Sequence, residues 1–418
     1  MTPRMWAVLA LGGLVVGVLV VAAVVLPWSR PPAPRADQLA ALGQLPSEQV
    51  AHARAFRAAL RPAVYGALLV GLAVVVALGF TSLGARLVEF AGRPFGGHWI
   101  ARALLGGLAV LLVVDLVALP FAAWRHVVVV RYGLSTQSWG GWAVDLAKSY
   151  AVGAVIGAIA LLGFFTVVRL VPRWWWAWGA AGAAGLVLLL SFVLPVVIEP
   201  VFNRFSAMEP GPLRTRLTEL AARDGVPVRD VLVADASRRT RTVNAYVSGF
   251  GPTRRIVVYD TLLREATPDE VVSVVAHELG HAKDNDVGGG TLLSALGAAA
   301  GVVGLYLLGG VGPLLRAAGV QNIGEPRAVA LMVALAAVAG LVAGPVQSLV
   351  SRRVEARADA HALALTGDPG SFEQMQRRLS TVNLADPDPP RWEYLWSASH
   401  PSTVERIAAA RAYGRGER

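Results

Sequence analysis

The stretch HELGH, residues 277–281, has two histidines four positions apart and a glutamate directly after the first. On an α-helix such histidines share a face, so both imidazoles can hold one metal ion, while Glu278 lies on the adjacent edge. This spacing is typical of zinc sites in which the glutamate acts on the water molecule at the metal. A polar seam between packed helices is the alternative that needs no metal. We expect His277 and His281 to be zinc ligands and Glu278 to be the general base.

The residues before the motif form a strong helix start. Thr267 can cap the first turn, Pro268 suits the first helical position, and Glu270 can complete a capping box with Thr267. The sequence therefore predicts a helix over 268–284. Polar side chains in such an apolar helix are costly unless they have a partner, which favours a shared metal ion.

A catalytic zinc site has three protein ligands and one open position, so a third ligand must come from elsewhere in the chain. The sequence contains no cysteine, which leaves histidine and the carboxylates. The best candidate is Glu355 in SRRVEARADAHAL, where Asp359 follows one helical turn later on the same face. His361 is a rival ligand, and spacing alone also allows Glu355 to be an ordinary interfacial glutamate.

The composition predicts a membrane protein. Hydrophobic residues make up 55% of the chain and charged residues 16%, and the hydrophobic fraction exceeds the average for globular domains. The formal net charge of +10 comes almost wholly from arginine, which we interpret as anchoring beside the membrane. Basic and aromatic residues do not alternate as on a nucleic-acid-binding surface, so we expect no nucleic-acid partner.

Apolar runs of about 20 residues, the length that crosses a bilayer, predict seven spans. They lie near 6–27, 63–84, 101–123, 150–171, 175–198, 288–310 and 328–350. The first run resembles a signal sequence, but its length and the flanking Trp6 and Trp28 favour a retained span. The last two runs are the least distinct, and some runs could instead be re-entrant or buried within the protein.

Basic residues are unevenly distributed between the predicted loops. The first and third loops carry Arg30, Arg35, Arg54, Arg57, Arg61, Arg125, Arg131 and Lys148, whereas the second and fourth carry Arg86, Arg93, Arg102, Arg169 and Arg173. Because basic loops favour the cytoplasm, we expect the first and third loops to be cytoplasmic. With an odd number of spans, the large polar segments then also lie on the cytoplasmic side.

Two polar segments interrupt the apolar pattern. The first contains an amphipathic helix, GPLRTRLTELAARDG, followed by three alternating runs, VRDVLVADAS, TVNAYVSGF and RRIVVYDTLL, as expected of a small sheet. The sequence therefore predicts four regions. They are a membrane region with about five spans at 1–198, a zinc-peptidase segment at 199–287, two further spans at 288–350, and the C-terminal part of the peptidase at 351–418.

HELGH followed by Glu-x-x-x-Asp at the end of a membrane helix resembles the type I CAAX prenyl endopeptidases, integral-membrane zinc metalloproteases of the gluzincin type. VNAYVSGFGPTRRIVVYDTLL is similar to the family's Asn-Ala-Tyr edge-strand segment, and SASHPSTVERIAA to its Ser-His-Pro segment. The likeness in motifs covers roughly 200–290 and 345–412, and the first 200 residues agree only in hydropathy and length. The short loop at 311–327 departs from the eukaryotic members, and the chain looks like a bacterial homologue.

The resemblance implies roles for four residues around the metal site and the substrate. It implies that Glu355 is the third zinc ligand and that Asp359 holds a zinc histidine, as such carboxylates commonly do. It also implies that Asn244 and Ala245 lie on a strand that pairs with the substrate backbone. Judged from its neighbours alone, Asn244 is an ordinary turn residue.

Two residues near the end of the chain also gain a role from the resemblance. His400 precedes a capping box formed by Ser402 and Glu405, and the family places such a histidine where it can donate to the oxyanion. Arg406 would order the substrate or the carboxylates of the metal site. From the sequence alone, His400 could be a surface turn residue and Arg406 a solvated or membrane-facing arginine.

We therefore expect a mainly α-helical polytopic membrane bundle of about seven spans that encloses a chamber, with a small α+β zinc-metallopeptidase domain. The expected reaction is hydrolysis of peptide bonds within a peptide or protein substrate, with one zinc ion per chain. The resemblance extends the substrate class to prenylated or membrane-associated proteins. The expected location is a bacterial cell membrane, with the peptidase domain on the cytoplasmic side of the bilayer.

Alternatives to this function remain open. One is a membrane quality-control protease of the heat-shock type, which has fewer spans and acts on misfolded proteins. Another, of a different class, is a transporter or channel with a non-catalytic HExxH motif. The site-2 protease type fits less well, because its motif lies inside a span and not in a capped helix before one.

Overall fold

The computed structural model describes residues 2–28 and 32–417 of the chain. Arg30, one of the arginines assigned to the first loop, lies outside these ranges. The described chain is mainly helical. Helices α1 to α9 span Pro3–Val25, Arg35–Leu42, Ser47–Gly79, Ser82–Gly92, Trp99–Ala101, Gly107–Arg131, Trp139–Leu170, Trp175–Val193 and Glu199–Phe202. Helices α10 to α18 span Pro212–Arg223, Asp260–Glu265, Pro268–Lys283, Asp286–Leu308, Gly312–Ala317, Val329–Thr366, Pro369–Val382, Arg391–Ser397 and Thr403–Gly414.

Short helical turns of other kinds connect some of these elements. π-helical turns at Arg102–Gly106 and Leu194–Ile198 continue α5 into α6 and α8 into α9. Turns of 3-10 helix lie at Arg93–Phe95, Ala236–Arg238, Gly251–Thr253 and Pro326–Ala328.

Seven helical stretches within the described residues are long and apolar enough to cross a membrane, as the sequence predicts. They are Pro3–Val25, Ser47–Gly79, Trp99–Arg131, Trp139–Leu170, Trp175–Phe202, Asp286–Leu308 and Pro326–Thr366. Large apolar side chains on them remain exposed, with Leu19 62%, Leu69 65% and Val342 72% accessible. Such surfaces suit contact with lipid and not with water.

Several of these helices are longer than the apolar runs that predict them. Helix α3 begins at Ser47 and not near residue 63, and α7 begins at Trp139 and not near residue 150. A helix needs only continuous backbone hydrogen bonds, so polar residues can extend it beyond the hydrocarbon layer. Pro62 lies inside α3 without ending it, as proline does in many membrane helices. The apolar run therefore marks the embedded part of a helix and not its ends.

The three alternating runs form strands, joined by a fourth short strand. Strands β1 to β4 span Phe205–Ala207, Asp230–Ala234, Ala245–Ser248 and Arg255–Tyr259, in the sheet order β1-β2-β4-β3. Strand β2 is parallel to β4, whereas β1 and β3 pair antiparallel with β2 and β4. Strand β3, with Ala245 opposite Val258, is therefore an edge strand with one open side.

The two polar segments, separated in sequence by two spans, share one hydrophobic core. Leu217, Ile256 and Leu279 from the first segment pack in the same buried cluster as Phe372 and Ala410 from the second. Helix α15 runs without a break from the last span into this core. The predicted border at residue 350 thus falls within one continuous helix, which extends from the membrane to the peptidase core.

Helices α12 and α15 approach each other closely at a glycine. A Cβ atom added at Gly280 would lie 3.1 Å from Cβ of His361 on α15. This distance is tighter than most real Cβ contacts, so the missing side chain allows the two helices to cross at short range. The HELGH motif on α12 is thereby brought against the half of α15 that carries Glu355.

The first and third loops both contact the peptidase core. Ala41 of α2 packs with Val404 and Ile407 of α18 in a small buried cluster. Ser135, in the loop before α7, forms a bridge with Thr240 of the first polar segment. Both loops therefore lie on the same side of the helical bundle as the peptidase core.

The start of α12 is fixed by a buried carboxylate. Thr267 and Glu270 form the predicted capping box, in which Glu270 Oε2 accepts from the Thr267 backbone N–H at 2.7 Å. Both oxygens of Glu270 also accept from Arg378 Nε of α16 at 2.9 Å. Glu270 is only 2% exposed. The pair therefore attaches the first turn of the motif helix to the C-terminal segment.

We predict that Glu270→Ala lowers the thermal stability of the protein in detergent, at a cost of about 3 kcal/mol. The change removes a helix cap and breaks a buried ion pair. Circular dichroism during heating measures the effect. Glu265→Ala is the control, because Glu265 is exposed and sits at the end of the preceding helix. Equal melting midpoints for the two variants would contradict the prediction.

Candidate metal and catalytic site

Three potential ligands converge where α12 crosses α15. One ligand atom from each of His277, His281 and Glu355 lies within 4.8 Å of the other two. The Nε2 atoms of the two histidines are 3.1 Å apart. Glu355 Oε2 lies 3.2 Å from His277 Nε2, and Glu355 Oε1 lies 3.5 Å from His281 Nε2. The three side chains thus face one common point.

These donors fit a metal ion. Two imidazoles and one carboxylate form a ligand set found in catalytic zinc sites. Glu355 Oε2 is buried, and within the described ranges its nearest nitrogen neighbours, His277 Nε2 at 3.2 Å and His400 Nδ1 at 2.8 Å, are not aligned with it for a hydrogen bond. A buried anionic oxygen without an aligned donor is costly, and a cation at the common point satisfies it together with both Nε2 atoms.

A carboxylate and an arginine support His277 from behind. Its Nδ1 lies 2.9 Å from Asp359 Oδ1, and Asp359 Oδ2 accepts from Arg406 Nε at 2.9 Å. This arrangement turns Nε2 of the imidazole toward the common point. Asp359 thus lies where the resemblance implies, and Arg406 is buried against it. The Arg406 guanidinium thus donates to the carboxylate beside His277, and its role in ordering the site stays a prediction.

A second arrangement of the same kind supports His281. Its Nδ1 lies 2.8 Å from Asp286 Oδ2, and Arg357 of α15 pairs with Oδ1 of that carboxylate. Arg357 Nη1 also donates to the Val25 carbonyl at the end of α1, at 2.9 Å. Neither Asp286 nor Arg357 is among the site residues predicted from the sequence. The signal that could have found the carboxylate is its place five residues after the second histidine, just beyond the end of the motif helix.

A backbone turn brings Asp286 back to the motif. Asn285, between α12 and α13, has φ +53° in the left-handed region, where asparagine is enriched among residues other than glycine. The turn reverses the chain, so Asp286 at the start of α13 can reach His281 at the end of α12. A straight continuation of α12 would not allow this contact.

The charges around His277 favour a cation at the site. Although burial by itself lowers the pKa of His277, the carboxylates of Asp359 and Glu355 raise it to about 10. The surroundings therefore stabilise positive charge on or beside this imidazole. A metal ion benefits from the same acidic surroundings.

Glu278 lies beside the ligands in a cavity of about 520 Å³ that is also lined by His277, His400 and Asn244. Burial raises the pKa of its carboxyl group above the usual glutamate range. A pKa nearer to neutral pH helps the carboxylate to accept a proton in one step and to donate it in a later one. Glu278 thus has both the position and the environment of a general base.

His400 reaches the site from the segment before α18. Its Nδ1 lies 2.8 Å from Glu355 Oε2, and its side chain is 58% exposed. The predicted capping box of Ser402 and Glu405 starts α18 directly after it. Arg352, one turn before Glu355, donates to the carbonyls of Tyr394 and Ala398 at 2.8 and 2.6 Å. Arg352, which is not among the site residues predicted from the sequence, thus fixes the segment that presents His400.

The edge strand begins beside the cavity. The Asn244 carbonyl accepts from the Tyr259 N–H at 3.0 Å, so the next residue, Ala245, directs its own backbone groups to the open side of the sheet. The Ala245 N–H is bonded by Asn244 Oδ1 at 3.0 Å. Asn244 therefore lies at a strand end and not in a free turn, and an incoming peptide strand could pair with Ala245.

His361, the rival ligand, faces away from the site. Its Nε2 lies 3.0 Å from Asp224 Oδ2, and the other oxygen of Asp224 accepts from Lys283 Nζ at 2.6 Å. Asp224 is almost fully buried. This cluster joins α12 and α15 beside Gly280, so His361 has a structural contact and Glu355 is the carboxylate that reaches the histidines.

Comparisons with known proteins agree with this geometry. Residues 208–413 match the family model described as "Peptidase family M48". Residues 43–204 match the model described as "CAAX prenyl protease N-terminal, five membrane helices". The two matches together extend over most of the chain and include every residue of the candidate site.

Individual relatives share about a third of their residues with this chain in the regions that align. The chain is 29% identical over 307 residues to "Uncharacterized metalloprotease YhfN" of Bacillus subtilis (strain 168), covering 72% of this chain and 71% of that protein. It is 33% identical over 187 residues to "CAAX prenyl protease 1 homolog" of Oryza sativa subsp. japonica, covering 44% and 43%. It is 32% identical over 174 residues to "CAAX prenyl protease 1" of Saccharomyces cerevisiae, covering 41% and 38%. The matched region spans less than half the length of the plant and yeast relatives.

A solved structure matches nearly the whole chain. The "Crystal Structure of S. mikatae Ste24p" superposes with a TM-score of 0.78, covers 97% of this chain and 99% of that one, and is 22% identical. The expected fold class, a polytopic helical membrane bundle with a small α+β peptidase part, is confirmed.

We predict that Asp286→Asn weakens metal affinity by about 10- to 100-fold, because carboxylates that orient metal-binding histidines typically contribute this much. Titration of the purified protein with zinc, with a chelator as competitor, measures the change.

Asp269→Asn is the control, because the Asp269 carboxylate pairs with Arg216 on the surface and is 60% exposed. Unchanged zinc affinity in Asp286→Asn, or an equal loss in both variants, would contradict the proposed role of Asp286.

Proposed function

Because the chain belongs to peptidase family M48 and is a multi-pass membrane metalloprotease, we propose that it is a zinc endopeptidase with one zinc ion per chain. His277, His281 and Glu355 would hold the ion. The observation that carries this proposal is the convergence of the three donors beside Glu278. A zinc ion there would polarise the scissile carbonyl and make a water molecule more acidic.

The chain's own residues supply the proton transfers. Glu278 would take the proton from the attacking water and deliver it to the leaving amine. The raised pKa of its buried carboxyl group suits both halves of that transfer. Water with access to the carboxylate enters from the cavity that Glu278 shares with His400.

His400 would stabilise the oxyanion. Its Nδ1 faces Glu355 Oε2, which leaves Nε2 as the nitrogen able to donate a hydrogen bond to the developing negative charge. Donors placed in advance at such a position typically contribute several kcal/mol to catalysis. Asp359 with Arg406, and Asp286 with Arg357, would keep the two histidines oriented throughout the reaction.

The open edge of β3 would bind the substrate backbone. A peptide that pairs with Ala245 extends the sheet by one strand and lies along the cavity that contains Asn244 and Glu278. Several relatives carry the name CAAX prenyl protease. We therefore propose a prenylated or otherwise membrane-associated protein as the substrate. The comparisons lend no support to the transporter or to the quality-control protease.

The peptidase part would face the cytoplasm of a bacterial cell. Its core packs against α2 in the first loop and bridges the third loop at Ser135, and these are the two loops rich in basic residues. By the positive-inside rule, that side is cytoplasmic. The match to a Bacillus subtilis protein over 72% of the chain supports a bacterial source.

We predict that Glu278→Gln reduces peptide cleavage by about 100- to 10,000-fold, the usual contribution of a general base, and leaves zinc content at one ion per chain. Cleavage of a farnesylated CAAX-type peptide and metal analysis of the same preparation provide the two measurements.

The exposed Glu265→Gln is the matched control and should retain full activity. Cleavage by Glu278→Gln at the rate of the unmodified protein would refute the role of Glu278. Cleavage restricted to unlipidated chains would refute the proposed substrate class but not the enzyme.

A further inference from the structure

Helix α3 presents a row of three arginines to the peptidase core. Arg54, Arg57 and Arg61 are spaced by three and four residues, so their side chains lie on one face of the helix. The outer two are paired with the C-terminal segment. Arg54 Nε lies 3.6 Å from Asp386 Oδ1, and Arg61 Nη2 lies 2.8 Å from Glu393 Oε2.

The middle arginine differs from its neighbours. Arg57 is exposed, and across residues 2–28 and 32–417 no carboxylate forms an ion pair with it. The remaining acid of the facing segment, Asp388, is occupied by Arg35 at 2.7 Å. The row therefore retains one positive charge that the surrounding carboxylates do not neutralise.

This charge faces the reaction site. Arg57 lines the same cavity of about 520 Å³ as His277, Glu278 and His400. The other arginine of that lining, Arg406, is paired with Asp359. Of the two arginines in the described lining, Arg57 is therefore the one that can still bind an anion from outside the chain.

A carboxylate is the anion that fits best. A guanidinium offers a planar pair of donors that matches a carboxylate with two parallel hydrogen bonds. Every peptide substrate ends in one such group. Apolar side chains of Val243, Val274 and Met375 line part of the cavity, and the carboxylates of Asp386 and Glu393 in its lining are paired with Arg54 and Arg61. A short segment with apolar side chains that ends in a free carboxylate therefore fits this lining.

We propose that Arg57 binds the C-terminal carboxylate of the substrate and so favours cleavage near the end of a polypeptide. This inference rests on the proposed peptidase function and adds a specificity-determining residue to it. Since charge-assisted hydrogen bonds are about twice as strong as neutral ones, loss of the contact corresponds to roughly 10- to 100-fold in affinity.

The test measures binding separately from cleavage. One fluorescein-labelled, farnesylated CAAX-type octapeptide is made as the free acid, as the C-terminal amide, and as an amide whose last residue is glutamate. Fluorescence polarisation gives the affinity of each for the full-length, zinc-loaded protein in detergent. The Glu278→Gln substitution is present throughout, so that no peptide is cut.

We expect the free acid to bind about 10- to 100-fold more tightly than the amide. Arg57→Gln should weaken binding of the acid to the level of the amide, and Arg57→Lys should restore part of the difference. Arg391→Gln should leave the difference intact. Arg391 is also exposed, and no residue of the described chain forms an ion pair with it, but it lines a neighbouring cavity of about 1030 Å³ away from the histidines.

Equal affinity of the acid and the amide for the protein with Arg57 would overturn the proposal. Equal effects of Arg57→Gln and Arg391→Gln would also overturn it, because they would indicate only bulk charge. Tight binding of the amide whose last residue is glutamate would show that Arg57 binds an acidic side chain and not the C-terminal carboxylate. If the protein discriminates between acid and amide through Arg57 but, with Glu278 intact, cuts none of the peptides, the carboxylate contact of Arg57 is supported and the proposed peptidase function is refuted.

Discussion

The crossing of α12 and α15 brings two imidazole nitrogens to 3.1 Å from each other and a glutamate oxygen to 3.2 Å from one of them. Three ligand atoms this close together suit a shared cation, and a metal ion is a partner that all three can bind. The rest of the peptidase part maintains this crossing. Gly280 permits the short approach, the buried Asp224 bonds to a side chain from each of the two helices, and Glu270 holds the start of α12.

The site draws on parts of the chain that are far apart in sequence. Each of the two motif histidines contacts a carboxylate, and each carboxylate contacts an arginine. Through Arg406 this support extends to α18, and through Arg357 it reaches the end of α1. Opposite charges are thus paired close to the membrane, where unpaired charge is costly. In the arginine row on α3, Arg54 and Arg61 are also paired with carboxylates. Within the described residues Arg57 forms no ion pair, and we therefore propose it as a contact for the substrate.

Local patterns in the sequence were sufficient for the motif helix, its capping box and the seven spans, because these depend on helical periodicity, on caps and on apolar length. The choice of a third candidate ligand needed information that local sequence patterns do not contain. Glu355 and His361 are six residues apart and so face directions about 120° apart on one helix, and spacing alone could not tell which direction faces α12. The position of Asp286 five residues after His281 marks it as a candidate, but the contact itself depends on the left-handed turn at Asn285, which the spacing does not predict. Arg352 and Arg357 act through tertiary contacts that leave no local pattern.

We propose that His277, His281 and Glu355 together bind one zinc ion. X-ray absorption spectroscopy at the zinc edge, combined with anomalous diffraction from crystals of the full-length protein, can locate the ion and identify its ligands. We expect one anomalous peak per chain, in contact with both Nε2 atoms and the Glu355 carboxylate, and nitrogen and oxygen ligands at about 2.0–2.2 Å. A folded protein without zinc, or a peak beside Asp224 and His361 instead, would contradict the proposal.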